Sequence, residues 1–186
     1  SLSEFNYGLL ASFTDYKDDE RSSQTEFDGV PVWIYRPPDA TTKDLLPAMV
    51  YYHGGGWVFA SARIQNTLHK HFAKQVSMVV VSVDYRMAPE VKFPVPFEDS
   101  LRAAKYFLEH AIDFGVDPER VVLAGDSAGG NLAAAVSTRL RDEAFTPRNK
   151  AQVLIYPALQ VIDTNTPSYQ QQTFYDFVMN KETIAW

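Results

Sequence analysis

The sequence predicts an α/β domain with a mostly parallel, doubly wound sheet and helices on both faces. Three observations lead there. Four short apolar runs lack polar alternation, as strands buried on both faces do. Stretches with helical spacing separate these runs, so strand and helix alternate as in right-handed βαβ units. Two of the runs lead directly into glycine-rich turns.

The elements follow in order. Residues 1–23 are mixed and end in a charged cluster at 17–21, with a helix expected near 5–13. Residues 25–36 read as a strand or hairpin, stopped by Pro37 and Pro38. The first apolar run, PAMVYY at 47–52, leads into His53, Gly54, Gly55 and Gly56. Leu68, Phe72 and Val76 are four apart and predict a helix before the second run, MVVVSVDY at 78–85. Leu101, Ala104, Leu108 and Ala111 give the next helix its apolar face. Glu98 and Asp99 are expected in the first turn of that helix, with Gly115 beyond its end. The third run, RVVLA at 120–124, precedes a helix marked by Leu132, Ala135, Val136 and Leu140. The fourth is AQVLIY at 151–156. The expected organisation is an N-terminal segment over 1–24 with a cap helix, a partial core over 25–159, and the start of a cap or lid over 160–186.

With 186 residues the chain suits one domain, and 46% hydrophobic against 22% charged residues is ordinary for a globular protein. A net charge of -6 with no basic stripe argues against nucleic acid as a partner. There is no cysteine, so thiolate catalysis, disulfides and Cys-based metal sites are excluded. No apolar run approaches the roughly 18 residues of a membrane span, and no signal segment opens the chain. No cofactor or metal motif stands out.

Gly125, Asp126, Ser127, Ala128 and Gly129 match G-x-S-x-G. The pattern is weak alone, since a plain strand-to-helix glycine turn capped by Ser127 would look the same. Its setting is specific: it follows a buried run and opens a helix, as a nucleophile elbow requires. Gly125 and Gly129 would keep side chains out of the space where strand and helix approach, while the helix N-terminus faces developing negative charge. The earlier His53–Gly54–Gly55–Gly56–Trp57 turn supplies backbone amides with no Cβ in the way. An oxyanion hole in this arrangement would combine the N–H groups of Gly55, Gly56 and Ala128. His53 is expected to buttress the loop rather than serve as base. His69, His71 and His110, on helical segments, are expected to be solvated or partly buried. Trp57 and Phe59 suggest an apolar pocket or simple packing against the loop.

The motifs HGGGW at 53–57, DYRMAPE at 84–90, FPVPFED at 93–99, GDSAGGNL at 125–132 and IYPALQ at 155–160 stand in one order. Together they resemble the hormone-sensitive-lipase-like carboxylesterases of the α/β-hydrolase fold, in their arylacetamide deacetylase branch. The likeness runs from about residue 27 to 186. It implies a serine hydrolase of carboxylic esters, and of aryl amides or acylglycerols, acting through an acyl-enzyme on Ser127 without cofactor. It further implies small apolar ester or amide substrates. It points to an endoplasmic reticulum membrane setting with a lumenal catalytic domain, through an N-terminal anchor absent here. Asp84, Arg86, Glu90 and Asp99 are read as residues that pack loops near the site. Met87, where leucine is commoner, is a volume-conserving change.

One departure matters. In this fold the acid and base follow the serine, yet all four histidines precede Ser127. None of Asp142, Glu143, Asp163, Asp176 or Glu182 suits the triad acid. The expectation is a sequence that stops before its catalytic acid and base, with an incomplete sheet, poor activity and marginal solubility in isolation. The alternative is a catalytically inactive short form that binds or regulates.

Overall fold

A computed structural model describes residues 21–40, 45–160 and 167. The helix expected near 5–13 lies outside the described residues, as does the start of a cap or lid expected over 160–186 apart from residues 160 and 167. β1 (Ser22–Phe27) and β2 (Val30–Tyr35) form a hairpin across the two-residue Asp28–Gly29 turn. The chain then alternates: β3 (Leu46–Tyr52), α1 (Asn66–Val76), β4 (Val79–Val83), α2 (Val95–Glu109), a 3-10 turn (Ala111–Phe114), β5 (Val116–Asp126), α3 (Ala128–Asp142) and β6 (Ala151–Ile155).

The six strands make one sheet in the order β1-β2-β4-β3-β5-β6. The hairpin is antiparallel to β4, and the remaining pairs are parallel. β3 sends its chain through α1 to β4 on one side, whereas β5 sends its chain through α3 to β6 on the other. The carboxyl ends of these neighbouring strands therefore flank the topological switch point, where doubly wound sheets open a crevice.

Strand alternation divides two apolar sets between the faces. Val32, Val50, Tyr52, Val81 and Leu123 pack with Ala104, Phe107, Leu108, Leu132 and Val136 of α2 and α3. Tyr35, Tyr51, Val80 and Ala124 pack with Ala73 and Phe72 of α1. This covering of both faces is the reason the runs show no polar alternation.

Several local expectations change. On α1, Leu68 and Val76 face solvent while Asn66, His69 and Ala73 turn inward. The small Ala73 lets the helix approach the sheet, and the rings of Tyr35 and Tyr51 surround the His69 imidazole at 5.3 and 4.8 Å between centroids. His69 is thus fully buried rather than solvated or partly buried. Helix α2 starts at Val95, so Asp99 lies beyond its first turn, and Gly115 ends the 3-10 turn instead of the helix. β5 begins earlier than 120, because Val116 already pairs with Leu46 before the register shifts to Ala48 opposite Val121.

Candidate active site

Ser127 stands between β5 and α3 with φ 51° and ψ -116°. A left-handed φ is costly for a residue with a Cβ and persists only where the surroundings enforce it. Here they do. The Ser127 N–H donates to the Ile155 carbonyl at 3.0 Å, while its own carbonyl accepts from Ala158 N at 3.0 Å and Asn131 N at 3.1 Å. β6 and the turn after it therefore lock the serine backbone from one side.

Glycines make the tight passage on the other side. A Cβ on Gly125 would stand 2.3 Å from the Gly129 carbonyl oxygen, and one on Gly129 would stand 1.9 Å from that of Tyr52. The first turn of α3 thus rests directly on the end of β3. Tyr52 pairs with Gly125 across the two strands, so the turns that follow them start side by side.

The β3 turn is held by both its own carbonyls and its neighbours. Gly55 takes φ 117°, and its carbonyl accepts the N–H groups of Val58 and Phe59 at 3.1 and 2.9 Å. A Cβ on Gly55 would lie 2.1 Å from the Phe59 oxygen. Gly56 also has a positive φ, 63°, with open space where a Cβ would stand. Among the described residues, the N–H groups of Gly55, Gly56 and Ala128 have no hydrogen-bond acceptor. An anion lodged between these turns could accept from all three.

Asp126 joins the turns. Its Oδ1 accepts the Gly54 N–H at 3.0 Å, the Tyr51 hydroxyl at 2.9 Å and Gln65 Nε2 at 3.1 Å. Burial pushes the Tyr51 phenol far above its usual range, and the Asp126 charge and hydrogen bond add to that. Tyr51 therefore remains a donor.

His53 is fully buried and stacks on Tyr85 at 4.3 Å between centroids. Its Nδ1–H donates to the Gly54 carbonyl at 2.8 Å, and the Tyr85 hydroxyl donates to the His53 carbonyl at 2.6 Å. Burial lowers its pKa, against the opposing pull of the Gly54 carbonyl, Asp84 and Asp126. His53 is thus a buried ring built into the loop, with its Nδ1–H spent on the Gly54 carbonyl.

The other histidines do not converge on Ser127. His69 packs among rings, and burial, with a smaller electrostatic contribution from nearby His53, lowers its pKa to about 3. His71 is exposed on α1. His110 Nδ1–H donates to the Tyr106 carbonyl at the end of α2. Among the described residues no cluster of three or more His, Asp or Glu side chains could hold a metal ion.

The DYRMAPE and FPVPFED segments clasp each other. Arg86 donates from Nε and Nη2 to the two oxygens of buried Asp99, both at 2.8 Å, and Arg102 adds a bond of 2.6 Å. Burial opposes ionisation of Asp99, but the Arg86 hydrogen bonds and both guanidinium charges hold its carboxyl below the usual range. Asp84 accepts the Ala62 N–H at 2.9 Å, whereas Glu90 is exposed. Trp57 packs on the main core, and Phe59 is half exposed. An open groove of about 510 Å³, lined by Phe93, Phe97, Asn131, Ala135 and Leu159 among others, runs along α3.

Gln65 and Tyr51 had no signal in the sequence, because their partner Asp126 lies 61 and 75 residues away.

A family model described as alpha/beta hydrolase fold matches residues 49–186. Neutral cholesterol ester hydrolase 1 of Rattus norvegicus is 46% identical over 154 residues, covering 80% of this chain and 38% of that protein. Arylacetamide deacetylase of Mus musculus is 46% identical over 176 residues, covering 90% of this chain and 44% of its own. The chain thus spans about two fifths of the length of these curated relatives. Among solved structures, a hyperthermophilic esterase from the archaeon Pyrobaculum calidifontis is 34% identical with a TM-score of 0.86, covering 100% of this chain and 62% of that one. The thermostable carboxylesterase EstE1, cloned from a metagenomic library, is 36% identical with a TM-score of 0.82, covering 98% and 64%.

Proposed function

Because this chain belongs to the alpha/beta hydrolase fold family, we propose that it carries the nucleophile and oxyanion loop of a carboxylic ester hydrolase. One observation carries the reading: a left-handed serine at the switch point, wedged between glycines against a second glycine turn.

The reaction follows from that geometry. The Ser127 hydroxyl oxygen attacks the acyl carbon as a base takes its proton. The carbonyl oxygen gains charge and accepts hydrogen bonds from the N–H groups of Gly55, Gly56 and Ala128; losing one such donor typically costs about a hundredfold to a thousandfold in rate. The C–O bond to the alcohol breaks, and the alcohol leaves with the transferred proton. Water then hydrolyses the acyl-serine and restores the enzyme. The names of the relatives carry cholesterol esters and aryl acetamides, so ester and amide carbonyls are both substrate classes to test.

Among the described residues no histidine is placed to act as the base for Ser127. His53 and His69 are buried supports, His110 is tied to its own helix, and all four histidines precede Ser127. That last fact favours a second reading, a binding or regulatory chain without turnover. A fluorophosphonate separates the two, since it reacts only with an activated serine. The whole natural protein should label at Ser127, hydrolyse p-nitrophenyl acetate, and lose both properties in Ser127→Ala. Residues 1–186 alone should turn over at least about a thousandfold more slowly, because a serine without its base is a weak nucleophile at neutral pH. An unlabelled natural protein would leave the binding reading.

A further inference from the structure

We propose that Gln65 is a positioning residue for the oxyanion loop and acts through Asp126. The inference rests on the esterase reading above.

Gln65 holds the N-cap position of α1, where Ser, Thr, Asp or Asn would normally bond the first free amides. Its side chain makes no capping bond. It reaches across the crevice instead, and Nε2 donates to Asp126 Oδ1 at 3.1 Å. Only this amide orientation works, since the opposite one would set the amide oxygen against a carboxylate. The same oxygen receives the Gly54 N–H and the Tyr51 hydroxyl. Three donors from β3, the loop after it and α1 therefore meet on the residue before Ser127. Asp126 is only 9% exposed, so its oxygen depends on such donors.

The coupling to the loop is steric as well as polar. A Cβ on Gly54 would lie 2.3 Å from Asp126 Oδ2 and 3.0 Å from the Asp126 carbonyl oxygen. The carboxylate thus lies directly against the Gly54 backbone. When Gln65 is removed, Oδ1 loses one of its three donors, the carboxylate turns, and Gly54 moves with it. Gly55 and Gly56 are the next links in the chain. A displacement of about 1 Å at a catalytic donor is enough to cost up to about a hundredfold.

The oxyanion develops only as the bound ester is attacked, in the tetrahedral intermediate and its flanking transition states, so the loss falls on kcat and spares KM. In the whole natural protein, Gln65→Leu should lower kcat for p-nitrophenyl acetate about tenfold, with KM within about twofold. Gln65→Glu should fall further at neutral pH, because two carboxylates then face each other. The Gly54 amide should exchange with solvent at least about tenfold faster in Gln65→Leu, as its acceptor loosens. A residue that merely braces the fold would lower the melting temperature and leave kcat and Gly54 exchange unchanged; that result overturns the proposal. Missing Ser127-dependent hydrolysis in the wild type counts against the esterase reading instead. The exchange rate at Gly54 then decides this one by itself.

Discussion

At Gly129 the demand is for empty space. A Cβ would stand 1.9 Å from the Tyr52 carbonyl oxygen and 2.6 Å from that of His53, both backbone atoms that cannot swing aside. Gly129→Ala should therefore force α3 off β3 and cost about 3 kcal/mol or more, since an overpacked backbone contact has no rotamer escape. Gly56 poses the opposite case. It has φ 63° but nothing within 4 Å, so Gly56→Ala carries backbone strain alone, about 1 kcal/mol. Urea unfolding of the two variants measures the difference; equal losses would contradict the geometry. Both glycines were legible in the sequence as parts of G-x-S-x-G and the triple-glycine turn, because those patterns are local and their strand-turn-helix setting can be read from hydrophobicity. The knot between them was not. Asp126 reads as the variable position of the serine motif, and nothing near it announces Tyr51 or Gln65 as partners. Hydrogen bonds across 61 to 75 residues are consequences of strand order, which spacing does not encode.

Among the elements, α1 departs furthest from its pattern and carries the sharpest pH dependence. Leu68, Phe72 and Val76 are the conspicuous apolar series, yet the buried side is led by Asn66, His69 and Ala73. Apolar counting fails because the sheet face beneath α1 presents Tyr35 and Tyr51, whose rings accept an imidazole as packing material. Among the described residues His69 has no hydrogen-bond partner on either nitrogen, and burial holds its pKa near 3, below the ordinary 6.5. The folded state therefore resists a proton that the unfolded chain takes up. Stability is complete above about pH 6.5 and drains away as the pH falls towards 3, by up to several kcal/mol at about 1.4 kcal/mol per pH unit. His69→Leu removes the titration while keeping an apolar side chain of similar size. Its acid-unfolding midpoint should drop by about one pH unit, with a smaller change at pH 7. An unchanged midpoint, followed by circular dichroism, would mean that His69 stays neutral for some other reason or is hydrated. Helix α2 contributes a second acid-sensitive tie of the same sign. The Asp99 carboxyl is held below its usual range, so its clasp on Arg86 and Arg102 persists above the ordinary carboxylate range and is lost as acid protonates it. Asp99→Asn should loosen the 84–90 segment at neutral pH and flatten the lowest part of the acid curve.

For the whole molecule, strand order explains both the site and a liability. Four parallel-sheet strands could be counted from the apolar runs, and their alternation with helices implied a doubly wound sheet. The reversal that sets β3 beside β5 joins the two glycine turns, and it came from the structure, not from periodicity. The same order leaves β6 at the end of the sheet. It pairs with β5 from Ala151 opposite Val122 to Ile155 opposite Asp126, and among the described residues no strand pairs with its other side. Val153 is 44% exposed, with Tyr156 and Leu159 more exposed still just beyond. Unpaired backbone groups next to exposed apolar side chains make a template for another strand. Residues 1–186 in isolation should accordingly associate through β6 as concentration rises. A lysine is the device natural sheets use to block such an edge, because pairing would desolvate its charge. Val153→Lys should restore a monomer in sedimentation velocity without loss of secondary structure, as the position faces solvent and its backbone bonds to β5 are unaffected. A matched change away from the sheet edge, Val76→Lys, should leave association as it was, since Val76 is also exposed but lies on helix α1 rather than on a free strand edge. Equal rescue by both variants would assign the association to net charge. Rescue by Val153→Lys alone would assign it to the strand edge.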